Sequence, residues 1–467
     1  MSGPSYADLV RPPVRALMIS ALGATFLGAV DTLMVVTALP TAAQDIGGVD
    51  QIALAVGAGI VTAIMTLPIA GGVIDRYGVG RSFAIACILY TVANVLGGLA
   101  GSMEVVALSR LILGLGAGFM FAVPLGLFAL FVPEPLRPRA FGANAAMWGV
   151  AALIGPALGT VLTGTLGWRW VFWVNLPMIA IVAWAAVLAM RGHPATPPRE
   201  QRPLNLLGPL CLGLMTAPLL ASNHRLAPLA ILPALGFVWV ERRSPAPVFT
   251  HRPVSIATNL AAFAGGATFI GCEIFLPTQL QVGFGEPVGV VGVSLVLATL
   301  GWTLGSMSSA KLDMRFADQI LIGTSVVLVC VLVMALPFGG VPLVVAAYAL
   351  SGVGMGIASP ALFTAVLSDH EPGREGQATS SVPVARQVGA AVGTAAAGVA
   401  FALSLSDAMV HAAEKDGAHV AAIIPAVRHS YLAVAALGVI GVVACRWLRT
   451  DNVPAEPLAE QAAPVSH

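Results

Sequence analysis

The sequence predicts an all-α membrane protein with fourteen transmembrane helices, arranged as two six-helix halves plus two extra linker helices. Three observations lead to this prediction: a composition that is 57% hydrophobic and only 10% charged, a series of long apolar segments, and an uneven distribution of basic residues. Soluble domains carry roughly 25% charged residues, which this chain lacks. The composition therefore argues against a soluble enzyme, and a formal net charge of +1 does not indicate nucleic-acid binding.

Fourteen apolar segments are candidates for crossing a bilayer, which takes about 20 residues each. The predicted spans are residues 16–39, 52–74, 82–101, 105–131, 141–163, 170–190, 204–221, 226–240, 255–281, 288–309, 319–337, 341–367, 378–405 and 427–448. Spans seven and eight are short and contain several prolines, so a twelve-span protein is the alternative.

Basic residues collect in cytoplasmic loops of membrane proteins, which gives a second test of the spans. With the N-terminus inside, 17 of the 23 Lys and Arg residues fall in inner segments, and only Arg110 and Arg386 fall within spans. We therefore expect a multi-pass inner-membrane protein with both termini in the cytoplasm. Removing spans seven and eight together leaves this pattern unchanged, so only hydropathy favours fourteen spans over twelve.

Two sets of glycines recur with equal spacing in the two halves. Gly114, Gly116 and Gly118 match Gly352, Gly354 and Gly356, and Gly142, Gly155 and Gly159 match Gly376, Gly389 and Gly393. A duplicated bundle is the usual plan of secondary transporters, whose substrate site lies near the midplane between the halves. We predict an N-terminal half at 1–195, a linker insertion at 196–250, a C-terminal half at 251–450 and a flexible cytoplasmic tail at 451–467.

The loop GGVIDRYGVGR at 71–81 resembles the signature loop of the major facilitator superfamily. Gly71, Asp75, Arg76, Gly78 and Arg81 fit that signature. The segments VDTLMVVTALP (30–40), GPALG (155–159) and WRWVFWVNLP (168–177) are similar to patterns of its fourteen-helix drug:proton antiporter branch. The corresponding second-half loop, GSMSSAKLDMRFAD, is degraded. The resemblance implies a major-facilitator-like bundle that exports amphipathic small molecules in exchange for protons by alternating access.

Asp31 and Arg110 are charged residues at similar depth in spans one and four. A carboxylate within a span is unfavourable by about 2.5–3.5 kcal/mol on insertion scales, so it is retained for a partner or a role. We predict an ion pair in which Asp31 binds and releases the coupling proton. A permanent structural salt bridge is the alternative.

Glu273 is the only acid well inside a second-half span, and no basic residue lies within two turns of it. Three interpretations stay open for this side chain: a second proton site, a cation-binding site, or a carboxylate that faces an aqueous vestibule.

Several further residues are candidates for the substrate path. Arg386 cannot lose its charge, so it needs a carboxylate, a helix C-terminus or water. It is predicted as a structural or gating contact, with attraction of an anionic substrate group as the alternative. The remaining candidates are the amides and large apolar side chains Gln279, Gln281, Met147, Trp148 and Trp302.

Two segments are predicted to move. The loop with Asp75 is interpreted as a gate clasp in which Asp75 faces a helix N-terminus or a basic partner across the two halves; a solvated loop is the alternative. Gly155, Pro156 and Gly159 predict that the fifth span is kinked and that one of its faces lacks bulky side chains. Such a helix is interpreted as one that rocks against a neighbour. Simple close packing of that span is the alternative.

The sequence lacks the motifs of several other protein classes. No GxxxxGK[ST], GxSxG or HExxH motif occurs, so we expect neither ATP-driven transport nor enzymatic activity. We predict a monomer without a cofactor or metal site, driven by the proton gradient, with a small amphipathic substrate, protons and membrane lipids as partners. Transport of lipid-like or nutrient cargo, or a non-transporting membrane scaffold, is the alternative function.

Overall fold

The structure, a computed structural model, is helical with short connections. It describes residues 5–12, 14–191, 204–220, 224–245, 247–309, 311–312, 314–336, 340–412 and 418–448. Within these ranges no residue lies in a β-strand. The predicted tail (451–467) and the start of the predicted linker (196–203) lie outside the described residues.

Six helices form the first half of the bundle. They are α1 (Val14–Ile46), α2 (Ile52–Tyr77), α3 (Val79–Gly98), α4 (Met103–Phe131), α5 (Arg137–Thr165) and α6 (Trp170–Arg191). Gly78 separates α2 from α3 because it has a positive φ of 86°, a left-handed conformation that only glycine adopts without strain. α6 is interrupted by one turn residue, Val174.

Two shorter helices connect the halves, and six more form the second half. The connecting helices are α7 (Leu207–Leu220) and α8 (Ile231–Arg243). The second half contains α9 (Pro253–Glu273), α10 (Val288–Ser309), α11 (Phe316–Met334), α12 (Val341–Ser368), α13 (Glu375–Ala412) and α14 (Ala418–Leu448). After a break, α9 continues as a π-helical turn, Thr278–Gly283.

The predicted fourteen-helix fold is confirmed. Twelve of the described helices are long and apolar enough to cross a membrane, whereas α7 is a shorter apolar helix. α7 packs against α2 of the first half and α13 of the second, so the insertion lies beside both halves. The weak hydropathy of spans seven and eight thus corresponds to two short helices rather than to a loop.

The repeated glycines make equivalent contacts in both halves. In each half the fourth helix packs on the second: Gly114 abuts Gly59, and Gly352 abuts Ala298. In each half the fifth helix also packs on the first, through Gly155 and Gly159 against α1 and through Gly389 and Gly393 against α9. Glycine permits these approaches because it places no side chain between the backbones. The glycine spacing therefore encodes the same helix packing twice.

The two halves are joined at one end of the bundle. We call this the basic end, because it carries Arg11, Arg15 and the arginines of the α2–α3 turn, and we call the other the opposite end. At the basic end one apolar cluster contains residues of both halves, including Phe128 and Phe363. Two further large clusters lie toward the opposite end, and each contains residues of one half only. The halves therefore share an apolar cluster at the basic end, whereas each of the two large clusters toward the opposite end belongs to one half.

Candidate functional site

Asp31 and Arg110 form an ion pair inside the first half. The Nη1 atom of Arg110 donates to Oδ2 of Asp31 at 3.2 Å. Asp31 lies seventeen residues into α1, or about 25 Å along the helix, which places it deep within the membrane span. The Asp31 side chain is fully buried, and that of Arg110 is 9% exposed. The structure therefore brings together the two residues that the sequence placed at similar depth.

Asn175 of α6 is a third member of this site. Its Nδ2 atom donates to Oδ1 of Asp31 at 2.6 Å and to Oδ1 of Asn94 at 2.8 Å. Asn94, in turn, donates to the backbone oxygen of Tyr90 one turn earlier in α3. Asp31 thus faces α3, α4 and α6 of its own half and not the second half. We call Asp31, Arg110, Asn175 and Asn94 the buried polar network.

Sequence analysis did not identify Asn175 as a site residue, although a signal was available. Asn175 lies five residues into α6, and Arg110 lies seven residues into α4, both counted from the opposite end. A rise of about 1.5 Å per residue puts both at similar depth. The same depth count that paired Asp31 with Arg110 therefore indicates Asn175.

Asp75 joins the halves at the basic end. Its two carboxylate oxygens accept hydrogen bonds from the backbone N–H groups of Gly376, at 2.6 Å, and of Gln377, at 2.9 Å. These groups belong to the first turn of α13, where unpaired N–H groups and the helix dipole favour a negative charge. The geometry is the predicted contact with a helix N-terminus across the halves; its role as a gate stays a prediction.

The other residues of the α2–α3 turn support this contact. Gly71 lies so close to α13 that a Cβ there would be 2.6 Å from the backbone oxygen of Gly376. The guanidinium carbons of Arg76 and Arg81 lie 5.1 Å and 5.9 Å from the ring centroid of Tyr77. Both arginines therefore lie beside the turn that Gly78 allows, on the first-half side of the clasp.

The predicted rocking segment of α5 lies against α1. The helix runs without a break from Arg137 to Thr165 with Pro156 inside it. A Cβ on Gly155 would lie 3.0 Å from Cβ of Leu33, and one on Gly159 would lie 2.6 Å from the backbone oxygen of Met34. This geometry shows close packing, the alternative interpretation; movement of α5 stays a prediction.

Trp148 and Trp302 lie beside a contact between the two halves. Their chain neighbours Gly149 and Thr303 meet across the interface of α5 and α10. Trp148, which is 37% exposed, has its ring 5.5 Å from that of Phe121 in α4. Trp302 has its ring 5.5 Å from that of Phe269 in α9. Met147 precedes Trp148 and is partly exposed, so these predicted path residues lie at the same level of the bundle.

Arg386 reaches the same level from α13. Its Cζ atom lies 5.4 Å from the ring centroid of Trp302, and the side chain is partly exposed. Within the described residues Arg386 has no carboxylate in ion-pair contact. The structure therefore assigns it an aromatic neighbour, which the sequence did not predict.

Glu273 lies at the end of α9, directly before the break that precedes the π-helical turn. The Tyr348 hydroxyl of α12 lies within hydrogen-bonding reach of its carboxylate. Glu273 is partly exposed, and no cation among the described residues forms an ion pair with it. The structure does not bring Glu273 and Asp31 together, since one lies in each half.

The two glutamines of the predicted path differ in their surroundings. Gln279 is 2% exposed, accepts a hydrogen bond from the Tyr431 hydroxyl at 2.8 Å, and donates to the backbone oxygen of Met334. Its amide therefore ties the π-helical turn to α14 and α11; a role of Gln279 in the substrate path stays a prediction. Gln281 is partly exposed and stays a candidate.

Comparison with known proteins gives one family for most of this chain. A model of the Major Facilitator Superfamily matches residues 21–394. An uncharacterized MFS-type transporter of Mycobacterium tuberculosis is 29% identical over 417 residues, which cover 84% of this chain and 60% of that protein. The chain therefore spans about three-fifths of that relative's length.

Two further comparisons agree with this result. Multidrug resistance protein 3 of Bacillus subtilis is 25% identical over 403 residues, which cover 81% of this chain and 78% of that protein. The crystal structure of the human organic anion transporter MFSD10 superimposes with a TM-score of 0.65 at 17% identity, covering 92% of this chain and all of that one. At this identity the structural likeness shows the fold alone.

Proposed function

This chain belongs to the major facilitator superfamily, and from that premise we propose that it is a proton-coupled secondary transporter that exports amphipathic small molecules by alternating access. The observation that carries the proposal is the buried ion pair of Asp31 and Arg110. Relatives named as multidrug resistance and multidrug efflux proteins support export of this kind of cargo. The proton gradient serves as the energy source, and no cofactor takes part.

The basic end is assigned to the cytoplasm in this proposal. Arginine and lysine concentrate on the cytoplasmic side of membrane proteins, and both termini then lie in the cytoplasm of a monomer in the inner membrane. With the halves joined at that end, the described conformation corresponds to one closed toward the cytoplasm. The Asp75 contact with the first turn of α13 is the clasp that opens in the other state.

Proton coupling follows from what protonation does to the buried polar network. A proton on Asp31 removes the counter-ion of Arg110, whose guanidinium stays charged at every accessible pH. A buried charge without its partner is strongly unfavourable, so Arg110 has to move toward water or toward another acid. Arg110 is the member of the pair with some exposure, which makes it the group that transmits the change.

The test compares two aspartates of the same helix. Asp31 and Asp45 each lie 3.2 Å from an arginine, but Asp45 pairs with Arg169 near the end of α1, where both side chains are about half exposed. We expect Asp31→Asn to abolish substrate-induced proton efflux and Asp45→Asn to leave it intact, with both variants present in the membrane at wild-type levels.

The measurement uses everted membrane vesicles with an acidic lumen. An antiporter fills such vesicles with an amphipathic dye, and a protonophore empties them. Proton-driven uptake, the main alternative, would instead deplete the vesicles of dye under the same gradient. Full dye accumulation by the Asp31→Asn variant would refute Asp31 as the coupling site.

A further inference from the structure

Arg386 differs from the other arginines with known partners in the described bundle. Five of those form ion pairs with acids at 2.9–3.4 Å: Arg11, Arg110, Arg169, Arg252 and Arg374. Arg386 lies eleven residues into α13, about 16 Å along the helix from the basic end, and so within the membrane span. Over the described ranges it has neither an ion-pair partner nor a hydrogen-bond acceptor for its side chain.

The route of the Arg386 side chain depends on a glycine in the neighbouring helix. Arg386 lies directly against Gly266 of α9, where an added Cβ would come within 3.0 Å of the Arg386 Cγ atom. Because glycine leaves this space free, the aliphatic stem crosses α9 and the guanidinium reaches Trp302 of α10. The packing therefore holds the charged group over the indole ring in the membrane interior.

The guanidinium and the indole ring lie beside a contact between the halves. Thr303, the residue after Trp302, contacts Gly149 of the first half, and Trp302 itself packs against an apolar cluster that contains residues of the second half only. Arg386 and Trp302 are both partly exposed, as is Trp148 on the facing helix. The charged group is therefore not fully enclosed by the side chains around it.

The chemistry of this pair leaves one requirement unmet. An aromatic face attracts the positive charge of a guanidinium. The five N–H groups of the guanidinium point outward in its own plane, however, so the ring accepts no hydrogen bond from them. Glu273 of α9 has the Tyr348 hydroxyl of α12 within hydrogen-bonding reach and forms no ion pair with Arg386 in the described structure. A carboxylate or sulfonate neutralises the positive charge of the guanidinium and accepts hydrogen bonds from two of its parallel N–H groups, because Arg binds such groups in a bidentate manner.

We propose that Arg386 and Trp302 form the binding site for an amphipathic aromatic anion, with its carboxylate or sulfonate on Arg386 and its ring system against Trp302 and Trp148. This inference rests on the proposed transport function, whose cargo it narrows to a chemical class. Neutral and cationic aromatic compounds of the same size are poorer ligands, because they leave the guanidinium without an acceptor.

The first experiment measures binding alone, so it does not depend on proton coupling. Purified full-length protein in lipid nanodiscs is equilibrated with 2-naphthaleneacetate or with the neutral 2-naphthaleneacetamide, and binding to empty nanodiscs is subtracted. We expect the acid to bind at least about tenfold more tightly than the amide, as charge-assisted hydrogen bonds provide. Arg386→Gln should remove this preference, and Arg386→Lys should keep part of it.

A matched control exists on the surface of the linker. Arg243 at the end of α8 lies over Trp239 at 4.4 Å and is exposed, so it reproduces an Arg–Trp contact away from the interface of α5 and α10. Arg243→Gln should leave the acid-to-amide preference at the wild-type value. An equal reduction by Arg243→Gln and Arg386→Gln would overturn the assignment of the site.

The outcomes separate this inference from the proposed function. A wild-type protein that binds acid and amide equally overturns the anion site, even if it exports other compounds in a proton-dependent way. Acid-selective binding that Arg386→Gln abolishes supports the site, even if vesicles show no proton coupling. Should Arg386→Gln fail to reach the membrane, the wild-type acid-to-amide ratio decides, and a ratio of one refutes the proposal.

Discussion

The first half of the bundle joins its intramembrane acid to a charged partner, whereas the second half joins its acid to a neutral one. Asp31 on the first helix of one half pairs with Arg110 on the fourth, and Glu273 on the first helix of the other half meets Tyr348 on the fourth. Arg110 and Tyr348 occupy equivalent positions, each four residues before a matched glycine, Gly114 or Gly352. The acids do not: the glycine contacts make Asp31 equivalent to Ala264, so Glu273 lies further toward the opposite end of its helix.

This difference indicates a division of roles between the halves. In the first half, protonation of Asp31 leaves the permanent positive charge of Arg110 without its partner, so the proton removes the ion pair of the buried polar network. In the second half, a tyrosine hydroxyl can hydrogen-bond the acid in either protonation state. In the proposed anion site, the positive charge of Arg386 beside Trp302 is available to bind a ligand. Under the two proposals made above, coupling belongs to the first half and cargo binding to the second.

The largest expected effect is the loss of Arg110. Arg110→Met leaves the buried Asp31 carboxylate without its counter-ion, which is expected to lower the free energy of unfolding by roughly 3–5 kcal/mol. Adding Asp31→Asn should restore much of that loss, since the orphaned charge is then removed as well. Thermal unfolding of the purified variants in the same detergent measures both changes.

The same substitution of an intramembrane arginine in the second half, Arg386→Met, should not lower the free energy of unfolding. Arg386→Met removes a partly exposed intramembrane charge that has no ion-pair partner in the described structure, so the free energy of unfolding should stay the same or rise. A loss as large as that of Arg110→Met would show that Arg386 is held by a partner within the protein, and the division of roles would fail.

The clasp at the basic end tests how the two halves are held together. Asp75→Ala removes two hydrogen bonds from a carboxylate to backbone N–H groups, and bonds to charged groups contribute about 1.5–3 kcal/mol each. The halves should then separate at the basic end in a larger fraction of molecules. Spin labels at Glu134 and Leu312, which lie in opposite halves, report this as a longer distance.

A second acid at the same end provides the control for the clasp. Asp8 forms an exposed ion pair with Arg11 within one short segment, so Asp8→Ala should leave the label distance unchanged. Equal distances in the wild-type protein and the Asp75→Ala variant would exclude the clasp as a determinant of the closed state.

Asn175 and Tyr348 give a matched pair of smaller effects. Asn175→Ala removes the amide that bridges Asp31 and Asn94 and should lower the free energy of unfolding by about 1–3 kcal/mol, because buried acceptors lose their donor. Tyr348→Phe removes one hydroxyl beside a partly exposed acid and should lower it by about 1 kcal/mol or less. Thermal unfolding compares the two, and the reverse order would contradict the difference between the halves.

Depth in the membrane could be predicted from the sequence, but the direction of side chains could not. A fixed rise per residue placed Asp31 beside Arg110 and Asp75 at a helix end, and glycine spacing revealed the repeat. These helices are apolar around most of their circumference, so no polar stripe indicates which face points inward. For that reason the sequence did not show that Asp31 faces its own half, that Gln279 is enclosed by α11 and α14, or that Arg386 meets Trp302.

His370 provides the smallest expected effect, at the basic end of the second half. Its Nε2 atom lies 3.6 Å from Oε1 of Glu375, and the interaction with this carboxylate raises the pKa of His370 above its usual value of 6.5. Desolvation and the positive charge of Arg137 in the first half act in the opposite direction, so the net stabilisation is expected to be only about 0.5 kcal/mol.

The sign of this effect follows from the raised pKa. A histidine that binds its proton more tightly in the folded protein contributes its full stabilisation below about pH 6.5, and that contribution disappears as the pH rises through the folded-state pKa. His370→Gln should therefore lower the unfolding temperature slightly at pH 5.5 and leave it unchanged at pH 9. Arg110→Met, in contrast, should remain strongly destabilising at pH 9, because the buried Asp31 carboxylate still lacks its counter-ion. A His370→Gln effect that grows with pH would mean that the neutral imidazole is the form that the Glu375 contact selects.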